Sequence, residues 1–213
     1  VIRMVKLAII GGGALGQQML GYAKMSGVDV VGFFDDTIDV GTIRHGLSVL
    51  GGIGALKDSF TNGVFTHTIV AIGYNHMKFK EALWNEIKGL DIPFYSIIAP
   101  SVYINPTATV EDGAFIMPGV VVDQRAKIGV GTILNCNATV SHDSEVGAFS
   151  FLGPGVQLSG FVQIGSRTFI GTGSITVDNI QIGDDIKIGS GAIVTKSLTE
   201  IGTYIGSPAR KLK

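Results

Sequence analysis

His142 and Asp143 stand side by side in the segment NATVSHDSEVG, and they are the pair in this chain best suited to moving a proton. An imidazole changes charge near neutrality, and a neighbouring carboxylate can fix one ring tautomer and favour the imidazolium that forms when the other nitrogen accepts a proton. Adjacent residues of a strand face opposite ways, so the two side chains meet only where the chain bends. Of the four histidines, His45 and His67 read as structural or exposed, while His76 falls in a loop. No H-x-x-H or C-x-x-C spacing occurs, which leaves metal catalysis without ligands. The single cysteine, Cys136, excludes an internal disulfide framework, fits a reducing compartment, and reads as a small buried side chain rather than a nucleophile.

A second chemistry-bearing segment is GGGALG, in which Gly11, Gly13 and Gly16 form G-x-G-x-x-G. A β-branched run at 5–10 precedes it, a helical segment at 17–25 follows it, and a strand at 28–34 ends in Asp35 and Asp36, about twenty residues on, where a Rossmann fingerprint places a ribose-binding acid. Backbone N–H groups from Gly11 through Gly13, Ala14, Leu15 and Gly16, together with the helix N-terminus, would attract a diphosphate. A third strand at 68–73 leads into Gly73, Tyr74, Asn75 and His76 before a helix at 79–88, which brings that loop to the same carboxyl edge of the sheet. A two-half dinucleotide fold needs more chain than this. A truncated βαβαβ unit suits a mononucleotide or nucleotide sugar and argues against NAD.

The remainder is built differently. From Ile104 an aliphatic residue recurs every sixth position through Val194, with Thr176 alone breaking the register. A helix repeats at 3.6 residues and a strand at 2, so a period of six means a solenoid of short strands, three hexapeptides to an 18-residue coil. Glycine often follows the aliphatic residue, as at Gly129, Gly147, Gly153, Gly165, Gly171, Gly183 and Gly189, which suits positive φ or close backbone approach. Small or β-branched residues four places on, including Ala126, Thr132, Ser144, Ser150 and Thr168, fit a narrow prism.

The 213 residues thus divide into an α/β domain at 1–97 and an all-β domain with a short tail at 98–213. A net charge of -1 with no stripe of Lys or Arg speaks against nucleic acid. Mean hydropathy is +0.41, yet no 18-residue apolar run predicts membrane insertion. The opening VIRMVKLAIIGGGALG has the look of a secretion signal, but a strand and loop fit it better.

The glycine turn, a strand ending FFDD, the segment HGLSVLGG, an AIG-x-N loop, the hexapeptide solenoid and a closing YIGSPARKL together resemble the bacterial nucleotide-sugar amino N-acetyltransferases. These belong to the hexapeptide-repeat acyltransferase superfamily, and their family includes sialic-acid O-acetyltransferase-like proteins. The resemblance spans the whole chain. It implies a left-handed parallel β-helix, a cytoplasmic homotrimer, and transfer of acetyl from acetyl-CoA to a nucleotide-diphosphate-linked amino sugar, of the 4-amino-4,6-dideoxy kind, used in surface glycans. It further implies His142 as general base with Asp143 as its partner, and the Gly160 N–H as oxyanion donor. Asn135 falls near the thioester, and Phe151, Gly171, Gly173 and Ser190 fall along the acetyl-CoA cleft. The chain departs from the family at Phe151, where relatives commonly have a second histidine, and at Leu15, where the glycine turn often carries one. O-acetylation of a sugar hydroxyl needs the same base and stays open, as does a non-catalytic trimeric assembly protein. The joint presence of His142 and a nucleotide loop favours the enzyme. Asp35 and Asp36 leave uracil, thymine and guanine undistinguished.

Overall fold

The computed structural model describes residues 5–212, so the first four residues of the leader-like opening, Arg3 among them, and residue 213 lie outside it. The chain forms two compact units that divide after Ile98.

The first unit runs β1 (Lys6–Ile10), α1 (Ala14–Met25), β2 (Asp29–Phe34), β3 (Ile43–Arg44), β4 (Leu47–Gly51), α2 (Leu56–Thr61), β5 (His67–Val70) and α3 (Met77–Lys88). Its sheet has the order β3-β4-β2-β1-β5, with β2, β1, β4 and β5 parallel and β3 antiparallel at the edge. The central strands are apolar on both faces, and Leu7, Ala8, Ile9, Phe33, Phe34 and Ile69 are completely buried.

Three expectations need correction here. Helix α1 begins at Ala14, not at residue 17, so Ala14, Leu15 and Gly16 form its first turn instead of a loop. Gly16 allows this, because a Cβ there would lie 2.1 Å from the Gly11 carbonyl oxygen. Likewise α3 begins at Met77 rather than residue 79, and Tyr74–His76 is a 3-10 turn leading into it. The β3–β4 hairpin was not anticipated. Its two-residue first strand is too short for a period to register, and β4 lies beside β2 because Gly32 has no side chain to meet Leu50 and the Ser48 carbonyl.

In the second unit, sixteen two-residue strands recur every six residues, from Tyr103–Ile104 to Ile193–Val194. Each pairs in parallel with the strand 18 residues away, as Val121 with Thr139 and Glu145 with Gln163. Three parallel sheets result, whose first strands within this unit are Tyr103–Ile104, Thr109–Val110 and Phe115–Ile116. Thr203–Ile205 extends the third in parallel, and Arg210–Lys211 closes it antiparallel. The aliphatic residue of each hexapeptide points inward; Val122, Ile128, Leu134, Val140 and Ile188 are wholly buried. Thr176 points inward too, and its exception is satisfied: its hydroxyl accepts the Ser159 N–H at 3.1 Å while the Ser159 hydroxyl donates to its carbonyl at 2.7 Å.

The structure decides what the glycines do. Those directly after the aliphatic residue are there for close stacking, since a Cβ on Gly147 would lie 2.6 Å from the Gly165 carbonyl carbon. Positive φ falls two residues later, at every sixth position from Gly113 to Gly191, and eight of those residues are not glycine: Arg125, Asn137, Asp143, Phe149, Phe161, Arg167, Asn179 and Asp185. Buried hydroxyls tie successive coils, with Ser144 donating to the Ser159 carbonyl, Ser150 to Gly165, Thr168 to Gly183 and Ser174 to Gly189.

A methyl group at Gly147 must therefore push two coils apart. Gly147→Ala should destabilise the protein by about 2–4 kcal/mol. Gly155→Asn, at a positive-φ corner with open space around it, should change stability by less than about 1 kcal/mol. Chemical denaturation of both variants checks this, and equal effects would contradict the assignment.

Candidate active site

The site grows from one corner of the β-helix, where the strand Thr139–Val140 turns into Glu145–Val146. Asp143 takes the left-handed conformation of that corner, with φ 59°, and this bend brings its carboxylate back to the preceding side chain. His142 Nδ1 lies 2.9 Å from Asp143 Oδ2. The pairing that a straight strand forbids is made by the turn. Since an ionised carboxylate only accepts, Nδ1 is the donor, and Nε2 is left with its lone pair.

The 18-residue coil places further groups against this pair. Arg125, one coil before Asp143, meets its carboxylate with a two-pronged bond, Nε to Oδ1 at 2.6 Å and Nη2 to Oδ2 at 2.7 Å. The Arg125 bonds first, and the His142 bond second, hold the Asp143 carboxyl down to about 2. One coil after His142 stands Gly160, where a Cβ would lie 2.7 Å from His142 Cε1 and 2.8 Å from Nε2, so the imidazole occupies the space a side chain would take. The Gly160 carbonyl accepts from the Asn179 N–H at 3.0 Å. Phe161 sits edge-on to the imidazole, ring centroids 5.2 Å apart, and remains 53 % exposed in a left-handed conformation that a bulky side chain rarely adopts. Arg125 and Phe161 were not anticipated. Their signal was present in the coil length, since they lie 18 residues either side of Asp143.

The other predicted residues of this unit lie on different corners and faces. Asn135 opens a corner and accepts the Cys136 N–H on its side-chain oxygen at 2.8 Å. Cys136 is half-exposed at that corner rather than buried, because the turn carries it off the inward face. Phe151 projects from the third sheet and stacks on Phe169, centroids 5.2 Å apart and planes within 5°. Gly171 is closed in by the Ser190 backbone nitrogen, 2.5 Å from where its Cβ would be, whereas Gly173 has positive φ and open space, and Ser190 is exposed.

In the first unit the glycine turn is shaped by bonds to the neighbouring strand. Gly11 has φ 107° and donates to the Phe34 carbonyl; Gly12 donates to Asp35 Oδ2 at 2.8 Å; Gly13 is the N-cap, with nothing within 4 Å of where its Cβ would be. The first intrahelical bond runs from Gln17 to the Gly13 carbonyl, so the N–H groups of Ala14, Leu15 and Gly16 precede the ladder, and no side chain caps them. Ala14, Leu15, Gln17 and Gln18 line a shallow concavity of ≈ 440 Å³. Asp35 is bonded inside the domain: beyond Gly12 it accepts the Thr37 N–H and hydroxyl. Burial pushes its carboxyl up, but the bonds from Thr37 and Gly12 and the charge of Arg44 outweigh this and leave it lowered. Asp36 accepts the Ile53 N–H at 2.8 Å. Gly73 is half-buried, and Tyr74, Asn75 and His76 are exposed in the 3-10 turn. His67 bonds Thr66 and packs on Tyr95, and His45 packs on Phe33. Lys80, also unanticipated, is buried in α3, and burial lowers its amine to about 7.

The Asp143 bonds predict a pH effect. A carboxyl whose folded value is lowered contributes stability above its unfolded value, about 4, and loses that contribution as pH falls from about 4 to about 2. Asp143→Asn should therefore lose less stability than the parent across that window, read as urea midpoints at successive pH values. Parallel curves would show that the carboxylate bonds contribute nothing to folding.

Residues 6–82 match the family model described as the PglD N-terminal domain. No curated protein matches the sequence. Among solved structures, GDP-perosamine N-acetyltransferase from Caulobacter crescentus, in a variant with one histidine replaced by alanine and in complex with CoA and GDP-perosamine, is similar over 98% of this chain and 97% of that one, at TM-score 0.92 and 28% identity. PerB from the same organism, with the same two ligands, matches over 98% and 97% at TM-score 0.90 and 29% identity. The acetyltransferase domain of PglB from Neisseria gonorrhoeae, in complex with acetyl coenzyme A, matches over 98% and 100% at TM-score 0.89 and 29% identity. The second unit is thus the solenoid of short strands expected from the period of six, a parallel β-helix with the left hand that the resemblance implied. Residues 6–82 match a PglD-type N-terminal domain, and the chain as a whole is similar in fold to these hexapeptide-repeat sugar N-acetyltransferases.

Proposed function

We propose that this protein transfers the acetyl group of acetyl-CoA to the amine of a nucleotide-diphosphate-linked amino sugar, of the 4-amino-4,6-dideoxy kind. The observation that carries the reading is the His142–Asp143 bond, which leaves Nε2 as a base on a scaffold whose solved neighbours hold CoA and GDP-perosamine. His142 Nε2 accepts the proton as the amine nitrogen attacks the thioester carbonyl. The resulting imidazolium, held by Asp143, returns that proton to the departing thiolate sulfur as the C–S bond breaks. The Gly160 N–H is assigned to the oxyanion; Gly160 has a separate use as well, since a larger residue would displace the imidazole.

Asn135, Phe151, Gly171, Gly173 and Ser190 are assigned to the acetyl-CoA cleft. Stacked on Phe169, Phe151 offers an apolar wall and no hydrogen bond. The nucleotide is assigned to the first unit. The N–H groups of Gly13, Ala14, Leu15 and Gly16 face the diphosphate, and Gly73, Tyr74, Asn75 and His76 lie beyond the end of β5. Asp35 and Asp36 each have carboxylate lone pairs left for ribose or base after their bonds to Gly12, Thr37 and Ile53. The active unit is a homotrimer, because the hexapeptide strands recur without an insertion long enough to cover a cofactor, and a neighbouring prism supplies the other wall. The reaction is placed in the cytoplasm, in keeping with the one unpaired cysteine; among the described residues, no helix is long and apolar enough to cross a membrane.

Acetyl transfer across a panel of nucleotide amino sugars tests the reading, with sugar hydroxyl acceptors as the competing arm. His142→Ala should lower kcat roughly 10²- to 10⁴-fold with the fold intact by circular dichroism. Near-parental turnover at saturating substrate would remove His142 from the mechanism. Light scattering should give a mass close to three chains. A fully active species of 22.3 kDa would rule out the shared cleft.

A further inference from the structure

We propose that Arg125 is a positioning residue for proton transfer at His142, holding the Asp143 carboxylate in the orientation that meets Nδ1 while taking up part of its charge. The inference rests on His142 being the base. A base must be neutral before it can accept a proton, and a bare carboxylate beside an imidazole favours the imidazolium. Asp143 is not bare. The Arg125 fork uses both its oxygens, at 2.6 and 2.7 Å, and leaves Oδ2 one further lone pair for His142 at 2.9 Å. The fork's plane fixes the carboxylate plane, which in turn fixes the direction from which Nδ1–H is accepted. Arg125 is itself held in place: its backbone is left-handed at φ 54°, and its N–H donates to the Thr107 hydroxyl at 3.0 Å, one coil earlier.

The charges facing the pair are few. The preceding coil brings Arg125, with Asp123 acting on it, and the following coil brings Gly160 and Phe161, which carry none. The molecule also contains its own comparison. Arg167 and Asp185, again 18 residues apart, form a similar fork at 3.1 and 3.0 Å on another corner, but the residue before Asp185 is Asp184, not a histidine. There the fork stacks coils and orients no base. Coil stacking alone is thus the competing account of Arg125, and it must be tested against the role at His142.

The experiment is a cycle of Arg125→Ala, Asp143→Asn and the double variant, with Arg125→Lys and Arg167→Ala alongside, followed as kcat and as kcat/KM against pH. Arg125→Ala should lower kcat about 10- to 100-fold with KM for acetyl-CoA within about twofold, and should move the acidic limb to higher pH. Arg125→Lys, a point charge without the fork, should return the limb to its place and restore only part of kcat. In the Asp143→Asn background, Arg125→Ala should cost less than about twofold, because it acts through that carboxylate. An equal cost in both backgrounds, or an acidic limb as unmoved as in Arg167→Ala, would overturn the proposal in favour of stacking. The proton resonance of His142 Nδ1 gives a readout that needs no substrate. It should be sharp and downfield in the parent protein and in Arg125→Lys, and broadened in Arg125→Ala; an unchanged resonance would count against the proposal even if no acetyl acceptor were found.

Discussion

The coil-on-coil ladder constrains everything else in the second unit. Each strand is only two residues long, so its neighbours 18 residues away must align in parallel, and the chain must turn a corner every six residues. A left-handed residue at every corner from Gly113 to Gly191 meets that demand. For a residue other than glycine this conformation costs roughly 1–2 kcal/mol. Burying an aliphatic side chain contributes about 1.5–3 kcal/mol, which is of the size needed to offset one such corner. That balance explains why eight corners tolerate Arg, Asn, Asp or Phe without glycine.

Once the corners are fixed, they form columns, and columns bring together residues that are far apart in the chain. Arg125, Asp143, Phe161 and Asn179 share one column, all with positive φ. Gly160 belongs to the column beside it, directly over His142, and its missing side chain makes room for the imidazole. His142 therefore stands on a corner tied to its neighbours: the Ser144 hydroxyl next to Asp143 is bonded to the Ser159 carbonyl, and the Asp143 N–H donates to the Gln124 carbonyl. Phe161, exposed and in a conformation unfavourable for its size, is retained against the imidazole edge.

The first unit reaches preorganisation by a different route. Its glycine turn is held from beneath by a carboxylate, through the bond from Gly12 to Asp35, and from the side by Gly16 against the Gly11 carbonyl. Asp35 therefore shapes the loop. At Gly13 the place a side chain would take is open space.

The period of six was legible from the sequence alone because burial acts on every hexapeptide independently, and a signal repeated sixteen times survives one exception at Thr176. The strand–glycine–helix opening was equally legible, since only a few backbone conformations accept Gly11, Gly13 and Gly16 in that order. His142 beside Asp143 could be named, and so could the condition for their meeting. What the sequence left open was decided by contacts across coils and strands, which local pattern does not encode. The close-packed glycines were separated from the left-handed corners by stacking distance, and α1 was extended to Ala14 by the packing of Gly16 on Gly11. The β3–β4 hairpin found its place through Gly32. Above all, Arg125 and Phe161 were joined to His142 by the 18-residue rise of the helix: a carboxylate and a guanidinium that far apart in sequence have no reason to meet until the turns are stacked.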